Sequence, residues 1–225
     1  MRTTNRQAGF TLVEIAIVLV IIGLLLGGIL KGQEMITQAR IKNMINDFNG
    51  ITAAYASYQD RYRAIPGDDA GAQARWTLPA ANAVNANGSG ALDNPAAAPY
   101  NAPTAAAEPE TRLFWWHLRQ AGFIPGATVP PNVASNQPTN AVSGMIGAQT
   151  GAGAATMGLA GLIICTANVP DKIAIAVDTQ TDDQSSTTGS LRAALQLASN
   201  PAIPAGPYPA YAETGANQYL LCRGV

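Results

Sequence analysis

Between Phe10 and Leu30 the chain runs for 21 residues with a single charge, Glu14, and no proline occurs before Pro66. As a helix this stretch is about 31 Å long at ~1.5 Å per residue, which matches the ~30 Å hydrocarbon core of a bilayer. Arg2 and Arg6 stand before the run, and only Lys31 directly follows it. That bias orients the N-terminus toward the cytoplasm and sends everything from Lys31 onward across the membrane. Glu14 is the anomaly. A carboxylate inside a spanning segment costs about 2.5–3.5 kcal/mol on insertion scales and points to a function. Its place near the cytoplasmic edge lets it reach the headgroups, which softens the cost without giving the residue a purpose.

Three readings compete for this segment. An ordinary secretory signal presents a small-residue cleavage site after the apolar run. This run ends Gly27-Gly28-Ile29-Leu30-Lys31-Gly32 and continues into helix-compatible sequence. A plain membrane anchor accounts for the apolar residues and leaves Glu14 unexplained. The third reading rests on Gly9-Phe10-Thr11-Leu12-Val13-Glu14, set behind a short basic leader and ahead of an apolar helix. This pattern resembles the class III signal of type IV pilins and type II secretion pseudopilins. The resemblance implies cleavage after Gly9 by a prepilin peptidase that also N-methylates the new N-terminal residue, Phe10. It implies that the apolar helix is retained and that Glu14 serves assembly. The partners it implies are other pilin or pseudopilin subunits, an inner-membrane assembly platform and the lipid itself. The implied location is the inner membrane before assembly and a periplasmic pseudopilus or extracellular pilus afterwards.

Physical chemistry agrees with that reading. A helix apolar on all sides leaves lipid only when neighbouring subunits replace it. Gly23-x-x-x-Gly27 and Gly28-x-x-x-Gly32 allow close backbone approach, although glycine is also simply common in membrane helices. In a bundle Glu14 is a buried charge that needs a partner, and the amine of an adjacent Phe10 is the obvious candidate. Such a pair would fix axial register, as a buried polar residue does in a coiled coil. Many members of the family carry a proline near the end of the membrane segment, where this chain has Lys31. The helix melting that this proline favours is therefore less favoured here, which leans toward a minor or divergent subunit.

Composition narrows the function further. Charged residues are 12% of the chain, against about 25% in average soluble proteins. Net charge is -1, and loss of residues 1–9 leaves 11 basic against 14 acidic side chains. Neither value suits a nucleic-acid binder, which carries a basic excess. One histidine and two cysteines are too few for a protein-only zinc site. No Walker loop, His-Glu-x-x-His or Gly-x-Ser-x-Gly occurs. The expectation is a protein that is no enzyme and holds no cofactor. A membrane-anchored periplasmic binding module or enzyme, built on a pilin-type anchor, is the competing class. It requires a concave polar site, for which the sequence offers no convergent nucleophile, base or metal set.

From Lys31 the pattern changes without a break. Ile41, Met44, Phe48, Ile51, Tyr55, Tyr58 and Tyr62 recur at spacings of three and four, one stripe of an amphipathic helix with Asp47 off it. The expected organisation is a leader over residues 1–9, a transmembrane and assembly helix over 10–30, and an amphipathic continuation over 31–62. A globular head over 63–225 follows, with long loops rich in Ala, Asn, Pro and Gly. The fold class is α+β and pilin-like, a long helix packed on a small head of short strands and helices.

Within the head, Pro66-Gly67 marks a turn and residues 80–107 read as a surface loop. In it, Asn85-Ala86-Asn87-Gly88-Ser89-Gly90 resembles a calcium loop stripped of its carboxylates. Helices are expected over 110–121 and 170–181, and a strand over 159–166. His117, set among aromatics, reads as a packing residue. Asp178, Asp182 and Asp183 form an acidic turn, a weak candidate for calcium beside the plainer reading of a solvated turn. Residues 62–69, 114–126 and 178–192 resemble recurrent blocks of one large-headed prepilin subgroup. Cys165 and Cys222 form an even pair in what this topology makes an oxidising compartment, and pilins often carry a C-terminal disulfide. A bridge between them is expected.

Overall fold

The computed structural model of the chain describes residues 11–76, 86–93, 99–103, 108–129, 136–151 and 155–225. Its contacts divide into two units, one ending at Ala39 and one running from Arg40 to Val225. Helix α1, Leu12–Tyr62, is continuous over 51 residues. Up to Ile36 every large apolar side chain on it is exposed. From Arg40 onward Ile41, Met44, Phe48, Ile51, Ala54 and Tyr58 are buried, the three-and-four spacing of a single packed face. Asp47 is half-buried, not fully off that face, and desolvation pushes its carboxyl up from the usual range. α1 ends where Arg63 turns left-handed at φ 54°, with its N–H still bonded to Gln59 O, and Pro66 bars any further turn.

After α1 come α2 (Ala72–Trp76), α3 (Glu110–Gln120), β1 (Ile146–Thr150), β2 (Leu162–Pro170), α4 (Asp171–Thr181), β3 (Leu191–Leu195) and β4 (Gln218–Gly224). The four strands form one antiparallel sheet in the order β1-β2-β4-β3. Successive side chains point to opposite faces. Leu162 and Ile164 of β2, Tyr219 and Leu221 of β4, and Leu191 and Ala193 of β3 pack with α1, α3 and α4 in the main core. Ile163, Cys165, Ala167, Leu220 and Cys222 face the other way, where Tyr100, Met157, Leu159 and Ile203 cover them. An irregularity between Thr166 and Val169, with Asn168 at φ 58°, resets the alternation, so Val169 returns to the main core.

Three expectations need correction. The strand expected over 159–166 runs over Leu162–Pro170. Pro170 still pairs with Gln218 in extended backbone, so α4 begins one residue later, at Asp171. The segment 80–107 is not simply surface, because Leu92 and Tyr100 are buried at 1% and 0% exposure. Gly147 permits the latter. A Cβ there would stand 2.3 Å from Tyr100 O.

Candidate processing and assembly site

Gly9 and Phe10 lie outside the described residues, which begin at Thr11. The Thr11 N–H and hydroxyl both reach Glu14 Oε2 at 2.8 Å, and the Glu14 N–H returns to Thr11 Oγ1 at 3.3 Å. This reciprocal pattern is a capping box, with Thr11 at the cap and Glu14 three residues on. It occupies amides that the first turn of any helix leaves without partners, and it sets a negative charge at the positive end of the helix dipole. Glu14 thus has work to do inside its own chain. Its sequence signal is Thr-x-x-Glu before an apolar run, which the stronger Gly-Phe junction overshadows.

C-terminal to the cap, the unit ending at Ala39 offers apolar surface on every side. Leu12 is 87% exposed and Leu24 73%. A Cβ added at Gly23, Gly27, Gly28 or Gly32 would meet nothing within 4 Å. Glycine in a helix costs about 0.5–1 kcal/mol each relative to alanine, and nothing among the described residues requires it at those four positions. The helix is long and apolar enough to cross a membrane.

Residues 4–30 match the family model of the prokaryotic N-terminal methylation motif, a span that includes Gly9, Phe10 and Glu14. That motif is the signature of type IV pilins and pseudopilins. No curated protein and no solved structure matches the chain. The motif implies processing by a prepilin peptidase, assembly with other pilins and membrane anchoring through the apolar helix.

The remaining candidate residues lie in the unit from Arg40. Cys165 and Cys222 are disulfide-bonded, directly opposite one another on β2 and β4 and fully buried. The carboxylates of Asp178, Asp182 and Asp183 come within 4.8 Å of one another. Each accepts hydrogen bonds from the chain: Asp178 from the Gln184 N–H and the Tyr211 hydroxyl, Asp182 from the Leu191 N–H, and Asp183 from the Ser185 N–H and the Thr188 hydroxyl. Burial pushes the Asp178 carboxyl up, and the Thr188 hydroxyl draws that of Asp183 down. The geometry is that of a turn closed by its own donors.

Carboxylates play the same part elsewhere, in positions that sequence reading did not single out. Asp68, 3% exposed, accepts the N–H groups of Gly88, Ser89 and Gly90 at 2.6, 3.0 and 2.6 Å. Glu110 accepts those of Asn87 and Asp93. Loop 86–93 therefore closes on two buried carboxylates through backbone donors. Asn85 of the calcium-like pattern lies outside the described residues. Asp69 binds the Tyr58 hydroxyl, Arg75 and the Gly71 N–H. Burial opposes ionisation of Asp69, but those bonds outweigh it and hold the carboxyl below its usual range. Asp171 behaves likewise through the amides of Thr214, Gly215 and Lys172. Such residues look like loop solubility in a sequence, because most of their partners are backbone amides with no sequence signature.

Proposed function

We propose that this chain is a structural subunit, and not an enzyme, of a type IV pilus or a type II secretion-like pseudopilus. In this reading it is cleaved after Gly9, N-methylated at Phe10, and polymerised through its N-terminal helix. One observation carries the proposal: the methylation motif leads into a helix whose large apolar side chains are all exposed from Leu12 to Ile36. Apolar surface of that extent is stable in lipid or against copies of itself, and a filament supplies the second environment when the subunit leaves the first. Intact-mass analysis of the membrane-extracted protein tests it. The expected mass is that of Phe10–Val225 plus one methyl group. A protein that retains Met1, or is cut beyond Leu30, refutes the reading.

A further inference from the structure

We propose that His117 is an acid-labile lock, whose neutral ring holds the turn 66–69 on α3 and whose protonation frees that turn together with the segment 88–90 that hangs on it. His117 is 1% exposed, and its Nδ1 accepts the Gly67 N–H at 2.8 Å. Since Gly67 is the donor, Nδ1 carries no proton and the ring is the Nε2–H tautomer. A proton on Nδ1 would set two donors against each other in a site closed to water. The turn packs closely on α3. Gly67 sits at φ +96°, and a Cβ there would lie 2.4 Å from Glu110 O on α3, so the contact is close and its geometry fixed.

What the turn carries makes the contact a lock. Its Asp68 holds the amides of Gly88, Ser89 and Gly90, and its Asp69 holds Tyr58 of α1 and Arg75 of α2. The charged and titratable groups facing the ring are Asp69 from the turn, Arg75 from α2 and Tyr58 from α1, the last stacked on it with centroids 6.1 Å apart. Burial outweighs the attraction of Asp69 and lowers the imidazole to about 3, with Arg75 acting in the same direction. The sign follows. The folded ring stays neutral where the open one protonates, so the lock is at full strength above the ordinary value of 6.5 and weakens as pH falls toward 3. Between pH 7 and pH 5 the opening constant should rise about 25-fold.

His117 is the only histidine in the chain, so two measurements on the full chain in detergent micelles, purified without a histidine tag, test the lock. Hydrogen–deuterium exchange, corrected for the intrinsic rate at each pH, should show residues 63–71 and 88–90 opening about 25-fold more at pH 5 than at pH 7. In His117→Asn, whose Oδ1 can accept the Gly67 N–H but does not titrate, the change should stay below about 3-fold. Equal pH dependence in variant and wild type, or none in wild type, overturns the proposal. If the variant does not fold, the ring titration decides. The single imidazole Cε1–H resonance of the folded protein should stay neutral from pH 8 to pH 5, and a midpoint near 6.5 overturns the lock.

Discussion

Glu14 combines two roles that a single alanine substitution cannot separate. One is the capping box with Thr11, worth about 0.5–2 kcal/mol to the helix. The other is the proposed pairing with a neighbour's amine in the filament, where removing one partner costs about 3–5 kcal/mol. Glutamine at this position keeps the capping geometry and loses the charge. We expect Glu14→Gln to be as defective as Glu14→Ala, with incorporation into filaments down about 100-fold or more, since 3 kcal/mol is roughly two decades. Both variants should remain membrane-inserted, cleaved and methylated. Sheared filaments or cross-linked oligomers, scored for this chain at matched expression, measure it. If Glu14→Gln assembles like wild type, the residue is needed as a cap and not as a charge.

At the scale of elements, what the sequence showed depended on how local the information was. The stripe from Ile41 to Tyr62 was largely legible because one helix face repeats within a few residues: Ile41, Met44, Phe48, Ile51 and Tyr58 are buried, whereas Tyr55 and Tyr62 are half-buried and Ala54 lies on the packed face instead. β1 was not legible. All five of its residues, Ile-Gly-Ala-Gln-Thr, are buried, so no apolar–polar alternation marks it. β3 reads Leu-Arg-Ala-Ala-Leu, which suits a helix, and only its pairing with β4 makes it a strand. Loop 86–93 was the least legible, because its order comes from Asp68 and Glu110 at a distance in sequence. That dependence can be measured. Asp68→Asn replaces one acceptor oxygen with a donor that faces loop N–H groups, and each buried group so stranded costs about 1–3 kcal/mol. Limited proteolysis should cut the variant within 86–93 while α3 and the sheet stay protected. An uncut loop would show that Glu110, with Thr150 bonded to Leu92, suffices to hold it.

On the scale of the whole molecule, the two units draw stability from different sources. The unit up to Ala39 has no buried apolar side chain among its described residues, so its environment must supply what packing does not. The unit from Arg40 holds its own core, and the Cys165–Cys222 bond lies within it, on the sheet face covered by irregular segments and not by helices. That bond spans 57 residues, which in the chain-entropy model stabilises by about 4 kcal/mol. A domain of this size shifts its melting point by about 2–4 °C per kcal/mol, so Cys165→Ala with Cys222→Ala should lower it by about 8–16 °C. The helix signal from residues 12–39 should persist through that transition, since its large apolar side chains are exposed and a micelle supplies their environment. Both sulfurs are 0% exposed, so dithiothreitol should leave the bond intact while the unit is folded and reduce it only on unfolding. Reduction of the native protein at the rate of a small-molecule disulfide, or a melting shift under about 3 °C in the double variant, would show that β2 and β4 are held together by their hydrogen-bond ladder and packing without need of the bridge.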